Sequence, residues 1–345
     1  MGNLKKYLFG SFAQLFFPIF AVLFFISSVI LFIKIAGVTF VVKMSFGELF
    51  ELYLYSLPTM IFFTIPVTFF SASVISLAKL SQEYELPVLF SLGIDPLRFS
   101  RLFFPLSLLV SLFLLLVSLA LVPLSNEAYD RFLDHKKSSV NINLKPAEFG
   151  QKLGNWLVYV GDMDEGEKRY KEVVMFSSND LGRESFILAK EALVESMEGN
   201  LELKLFRGSA YFKEELHIKR VDYAQMLIRD SAFKEGGASL GIMGYWKQAL
   251  GGEKGSDKVR RKLSSSILIS LFPLASLFFI PLLGIMHPRF QKNYSYFYVI
   301  IATGIFYGLV HIASNHLPLA GIFLIPLIWL GVGYGLYRRF IAPYF

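Results

Sequence analysis

The sequence predicts a membrane α-helical bundle of six transmembrane helices, arranged three and three, with an inserted all-β domain. Six apolar segments each approach or exceed the roughly 20 residues that a helix needs to cross a bilayer core. A hydrophilic stretch, residues 125–258, separates the third segment from the fourth. Charged residues make up only 18% of the chain, against about a quarter in soluble domains. The six segments are 12–35, 53–78, 102–124, 263–286, 294–314 and 319–337.

The first three segments belong to a predicted domain over 1–124, and the last three to one over 259–345. Short loops rich in Lys and Arg remain in the cytoplasm, and four such groups fall on one side of a six-span chain. We therefore expect both termini in the cytoplasm and residues 125–258 outside. The four groups are Lys5 and Lys6; Lys79, Arg98 and Arg101; Arg289 and Lys292; and Arg338 and Arg339.

The stretch 125–258 should begin as a helical extension of the third span and continue as short antiparallel strands. Alternation of apolar and polar residues, clearest over 201–205, indicates a sheet with one buried face. The pattern fits a sandwich, a jelly roll or a curved half-barrel, and either an open trough or a closed sandwich. The predicted strands are Trp156–Val160, Val173–Ser177, Phe186–Lys190, Leu201–Arg207 and Leu216–Val221.

Several function classes are excluded or disfavoured by what the sequence lacks. It has no cysteine, so a thiolate metal site is impossible, and no P-loop or metalloprotease motif occurs. Residues 125–258 hold 20 basic and 22 acidic residues, so the basic excess flanks the membrane spans and does not form a nucleic-acid surface. We expect no cofactor, no metal, no nucleic acid and no catalysis by this chain.

The loop between the second and third spans is expected to carry a short amphipathic helix, at about 83–93. Glu83 and Glu85 favour a helix start because the N-terminus of a helix is electropositive. Leu86, Leu89 and Phe90 form an apolar stripe, and Gly93 suits a C-terminal cap. The helix is either an interfacial helix without a partner or a peg that docks on a separate cytoplasmic ATPase.

Cations near the expected outer surface are candidate lipid contacts. Lys34 lies near the outer end of the first span and could extend to the headgroups or bind a phosphate. Arg260 and Arg261, with Lys262, precede the fourth span. They act either as membrane anchors or as a site for anionic lipid.

Two motifs, together with the layout of spans, resemble the lipopolysaccharide-export permeases of the LptF/LptG family over essentially the full length. The segment 80–86, with Gly93, is similar to the coupling-helix signature of that family, although Tyr84 replaces the usual Ser and Pro87 intrudes. The stretch 281–289 is similar to the end of the fourth span, with His287 in place of Asn. Its Pro-Arg ending leans towards the F-type paralogue.

This resemblance implies a fold, partners and roles beyond the residue patterns. The β domain would be a periplasmic jellyroll, and the chain would pair with a paralogous permease subunit in the bacterial inner membrane. A cytoplasmic ABC ATPase dimer would dock on the coupling helix, with Glu85 as the acidic contact. Lys34 and Lys43 would meet lipid A phosphates. Lipopolysaccharide would pass to a periplasmic jellyroll bridge protein.

Other functions remain open at this level. The chain could belong to another ABC-type exporter of lipid or lipoprotein, although lipoprotein permeases commonly have four spans. It could also be a scaffold that anchors a periplasmic β domain without transport. A membrane enzyme would need clustered His and carboxylate residues, which the spans do not contain.

Overall fold

The computed structural model describes residues 2–39, 44–138, 146–153, 156–164, 169–178, 184–197, 200–214, 217–229, 246–247, 256–286 and 293–342. Within these ranges the chain forms two compact units. The first contains most of the helices, and the second contains the β-sheet with the helical residues 31–39, 46–55 and 126–138. Lys43 and the His287-Pro288-Arg289 ending lie outside the described residues.

The helical elements are longer than the apolar segments that predict them. The described helices are α1 (Gly2–Thr39), α2 (Phe46–Gln82), α3 (Glu85–Ser91), α4 (Leu97–Leu116), α5 (Val122–Ser138), α6 (Ser256–Ala275), α7 (Phe279–Gly284), α8 (Ser295–His316) and α9 (Gly321–Phe340). A π-helical segment, Val117–Leu121, joins α4 to α5, so the third span continues as a helix beyond its apolar part. Five helices of the described ranges are long and apolar enough to cross a membrane: Leu4–Thr39, Phe46–Gln82, Leu97–Leu133, Ser295–His316 and Gly321–Phe340.

The predicted fourth span, 263–286, is covered by two helices instead of one. A turn at 276–278 separates α6 from α7. The indole nitrogen of Trp329 donates a hydrogen bond of 3.0 Å to the Ser276 hydroxyl, and the indole ring stacks on Phe279. The break is therefore packed against α9, as irregular backbone inside a membrane bundle requires.

The π-helical segment also contacts other parts of the helical unit. The indole nitrogen of Trp246 donates a hydrogen bond of 2.7 Å to the carbonyl oxygen of Leu119. In the same segment, the Ser118 hydroxyl lies 3.2 Å from the hydroxyl of Ser270 in α6. The π-helical segment is therefore tied by hydrogen bonds of its own residues to Trp246 and to α6.

The β-sheet is a six-stranded antiparallel meander in the order β1 to β6. Its strands are Gln151–Leu153, Trp156–Asp164, Arg169–Ser178, Glu184–Met197, Asn200–Glu214 and His217–Arg229. The prediction of a membrane helical bundle with an inserted antiparallel β domain is thus confirmed. The sequence missed the short strand β1. Three of the five predicted strands proved longer at both ends, and the other two proved longer only at their C-terminal ends.

A bend crosses this sheet along one row of residues. The row is Gly161, Glu172, Lys190, Arg207 and Ala224, and none of these residues pairs across the strands. Glu172 and Arg207 have left-handed backbone with φ of 53° and 51°. The buried positions of β3 change from even to odd numbers at the bend. Tyr170 is buried before it, and Val173 and Met175 are buried after it. One apolar face therefore continues through the curved sheet.

Candidate functional site

The coupling helix α3 is fixed at both ends by left-handed backbone. Tyr84 has φ of 63°, which ends α2 and turns the chain into α3. Pro87 is the third helical residue, where a missing N–H removes no intrahelical bond. At the other end Gly93 has φ of 78°. Its N–H donates to Phe90, and the N–H of Ile94 donates to Leu89, which is a Schellman motif.

The predicted apolar stripe of α3 faces the helical bundle. Leu86 is fully buried, and Leu89 and Phe90 pack against the same core. The ring of Phe90 meets the ring of Phe99 edge-on at 5.9 Å. These three side chains therefore anchor the helix, and Leu86 cannot touch a partner directly.

A second apolar stripe, which the sequence analysis did not identify, faces outward. Tyr84, Val88 and Leu92 are 55%, 56% and 73% exposed, and their spacing of four residues places them on one side of the helix. We name Tyr84, Val88 and Leu92 the outer stripe. The i, i+4, i+8 spacing is visible in the sequence, but two overlapping stripes within the nine residues 84–92 cannot be ranked by periodicity alone.

The two acidic residues of the candidate coupling site have different surroundings. The Tyr7 hydroxyl lies 2.8 Å and 2.7 Å from the two carboxylate oxygens of Glu85, to which it donates. This contact ties the beginning of α1 to the beginning of α3. Glu83 lies 4.0 Å from the ammonium of Lys79 on the surface, and such exposed pairs contribute little stability.

The two motifs that carry the family resemblance touch each other. The Ser81 hydroxyl donates to the carbonyl oxygen of Gly284 at 3.1 Å and accepts from the backbone N–H of Met286 at 3.3 Å. A Cβ on Gly284 would lie 2.7 Å from Leu77 Cβ and 2.9 Å from the Val74 carbonyl. Only glycine allows α7 to approach α2 this closely. The contact holds the residues that lead directly into α3.

The cations predicted near the outer surface belong to different units of the chain: Lys34 to the sheet-containing unit, and Arg260 and Arg261 to the helical unit. In the sheet-containing unit, the Lys34 ammonium lies 5.9 Å from the centroid of the Tyr129 ring, within the range of a cation–π contact. Lys34 has no carboxylate partner among the described residues. Lys136, which lies in α5 like Tyr129, forms an ion pair of 2.6 Å with Glu48 of α2.

In the helical unit, Arg260 and Arg261 lie on the first turns of α6. The Arg260 guanidinium is 4.0 Å from the Asp257 carboxylate, and its side chain is 26% exposed. Arg261 is exposed. Within the described residues, no group of three or more His, Asp and Glu side chains could hold a metal ion.

Comparison with known proteins agrees with this arrangement. The sequence matches the family model described as "Lipopolysaccharide export system permease LptF/LptG" over residues 6–339. A search of curated protein sequences gave no match. The family match covers nearly the whole chain, including α1 to α9 and the sheet. The chain therefore belongs to the LptF/LptG family of lipopolysaccharide export permeases.

Proposed function

We propose that this chain is the permease subunit of an ATP-driven exporter that extracts lipopolysaccharide from the inner membrane. In this proposal a separate cytoplasmic ATPase dimer supplies the energy, and a paralogous permease completes the membrane part. The β domain is periplasmic, both termini are cytoplasmic, and the cargo passes to a periplasmic bridge protein. The family supports a role in lipopolysaccharide export; the partners and the orientation are our inference.

The outer stripe is the observation that carries the proposal. Seven residues of helix are locked to the bundle by Leu86 on one side. The other side presents three exposed apolar side chains, although a short cytoplasmic loop needs none. An apolar peg with a fixed base can transmit motion from a docked motor to α2 and α4, whose ends it joins. Glu83 and Glu85 would supply polar contacts at the rim of that interface.

The docking role is tested by Val88→Asp. A charge in the centre of an apolar interface should weaken ATPase binding about thirtyfold, as for loss of a strong interface residue. The readout is the amount of ATPase that co-purifies with the permease. Val88 is exposed, so the chain itself should still fold.

The control for this experiment is Leu317→Asp. Leu317 is 54% exposed in the turn between α8 and α9, which we place on the periplasmic side. Leu317→Asp also replaces an exposed apolar side chain by a carboxylate, but at a place where no ATPase should dock. Full ATPase recovery with Val88→Asp, or equal loss with both variants, would refute docking through the outer stripe.

The cargo role is tested at Lys34, whose ammonium is exposed and rests over Tyr129. We propose that Lys34, and Lys43 with it, contacts lipid A phosphates. Lys34→Glu should reduce photo-crosslinking of the permease to lipopolysaccharide, because it replaces attraction by repulsion. Lys171→Glu, an exposed lysine on the sheet, is the matched control. Unchanged crosslinking with Lys34→Glu would remove Lys34 from the site.

Arg260 and Arg261 are proposed to contact anionic lipid at the outer surface, since they lie on the first turns of α6, just before the apolar residues of the fourth span. The alternative function, a scaffold without transport, is not favoured, because a scaffold has no use for the outer stripe. The remaining alternative is export of another lipid, and the lipopolysaccharide crosslinking experiment separates it from our proposal.

A further inference from the structure

A cavity of about 420 Å³ with charged residues in its lining lies between the beginning of α1 and the end of α2. It is lined by Lys6, Tyr7, Gly10, Ser11, Gln14, Lys79, Leu80 and Glu83. Its volume is within the range of small-molecule sites. The cavity is next to α3. Its lining comes from α1, from the end of α2 and from Glu83 in the turn before α3, so it shares only Glu83 with the proposed docking interface.

The charge of this cavity favours an anion. Lys6 and Lys79 contribute two positive charges, and Glu83 contributes one negative charge. Glu83 sits 4.0 Å from Lys79, so that lysine is partly neutralised. Lys6 has no ion pair among the described residues, so its charge is available to a ligand. The Ser11 hydroxyl and the Gln14 amide add uncharged hydrogen-bond donors.

The position of Gln14 indicates what kind of anion binds. Gln14 is exposed and lies two residues inside the apolar run that begins at Phe12. In a helix that crosses a membrane, an exposed amide is costly unless it meets a polar group. Phe17, one turn further along the same helix, is 67% exposed and apolar. This order of residues indicates that the cavity opens near the boundary between headgroups and acyl chains.

We infer that this cavity binds the phosphate of an anionic phospholipid in the leaflet that meets this end of the bundle. The phosphate contacts Lys6 and Lys79, Gln14 donates to the headgroup, and the acyl chains lie along α1 from Phe17 onward. The site is separate from the cargo contacts proposed at Lys34. Tyr7 lines the cavity and also holds Glu85, so a bound lipid would stabilise the contact between α1 and α3.

Gly10 provides a steric test that leaves every charge in place. A Cβ at Gly10 would meet nothing within 4 Å, because the residue lines the open cavity. Gly10→Leu should fill the space that the headgroup needs without disturbing the packing of the helices. Gly10→Ala adds one methyl group and should have a small effect.

The experiment measures phosphatidylglycerol bound to the purified full-length permease complex in nanodiscs and by native mass spectrometry. Lys6→Gln and Lys79→Gln should each lower the apparent affinity about fivefold, as expected for one basic residue near an anionic surface. Gly10→Leu should abolish specific retention. Lys5→Gln is the matched control, since it removes the same charge from the adjacent position outside the cavity.

Two further arms identify the source of the phosphate. If a lipid is the ligand, inorganic phosphate at millimolar concentration leaves phosphatidylglycerol in place, and zwitterionic phosphatidylcholine is not retained. Two results would overturn the inference. They are equal loss with Lys5→Gln and Lys6→Gln, and displacement by inorganic phosphate. Neither result depends on which lipid the exporter carries.

Discussion

A single carboxylate, that of Glu85, connects α1 to the coupling helix. Both of its oxygens accept from Tyr7. A substitution of Glu85 therefore changes this hydrogen bond as well as the charge that the ATPase would meet. Glu85→Arg reverses the charge and removes the acceptor, and we expect it to weaken ATPase docking while the chain still inserts. Co-purification of the ATPase measures this effect.

Tyr7→Phe is the control for that prediction. It removes the hydroxyl and keeps the ring, which should cost the chain about 1 kcal/mol of stability, as for one hydrogen bond. If Glu85 acts by contacting the ATPase, Tyr7→Phe retains docking. If both variants lose the ATPase equally, the carboxylate acts only by holding α1, and the proposed contact with the motor is wrong.

Tyr223 in the sheet makes a pH-dependent contribution to stability. Its hydroxyl donates to the carbonyl oxygen of Leu188 at 2.8 Å, and burial raises the pKa of Tyr223 from 10.0 to about 12. The neutral phenol is favoured in the folded state, so its contribution is complete below pH 10 and is lost as the pH rises towards 12.

Tyr223→Phe should therefore lower the Tm at neutral pH by the loss of about 1 kcal/mol. The variant should also lose less stability than the native chain between pH 10.0 and about 12. Thermal unfolding followed over this pH range measures both effects. Parallel curves for the two proteins would show that the phenol does not titrate with unfolding.

Close packing of α7 on α2 is the element-scale feature that supports the coupling helix. Gly284 has no room for a Cβ beside Leu77 and Val74. Gly284→Ala should destabilise the helical unit by about 1–3 kcal/mol through overpacking. Gly304→Ala is the matched control, because a Cβ there meets nothing within 4 Å. The Tm in detergent distinguishes them, and equal Tm values for the two variants would contradict close packing at Gly284.

The bend in the sheet shows where reading strands from the sequence stops working. The predicted strands Phe186–Lys190 and Leu201–Arg207 both end in the bend row, and Trp156–Val160 ends one residue before it. The alternation of apolar and polar residues shifts by one position at the bend, because the apolar face of the sheet continues across residues with left-handed backbone. A pattern of period two cannot follow a strand through such a residue. The strands therefore proved longer than the runs that predict them.

For the coupling site, the helix and its glycine cap could be predicted, but the direction of its two stripes could not. Leu86, Leu89 and Phe90 were correctly recognised as apolar and periodic. Their burial depends on Phe99 and the rest of the bundle core, which no local pattern contains. The contact between Ser81 and Gly284 likewise joins residues 203 positions apart.

At the scale of the whole molecule, the layout of apolar spans around a β domain, together with two motifs, predicted the family. Its match over residues 6–339 confirmed the prediction. The broken fourth span was not predictable, since hydropathy averages over the turn at 276–278.

The absence of cysteine makes single-cysteine variants straightforward tools for testing the orientation of the chain. Ser91→Cys should react with an impermeant maleimide only from the cytoplasm, and Lys213→Cys only from the periplasm.

ATP-dependent release of lipopolysaccharide from proteoliposomes that contain the complete permease and its ATPase tests the central claim most directly. We expect release that requires ATP, that Val88→Asp reduces to the level seen without ATP, and that Leu317→Asp leaves intact. Release at the full rate by Val88→Asp, or release that does not need the ATPase, would contradict a permease driven through the outer stripe of α3.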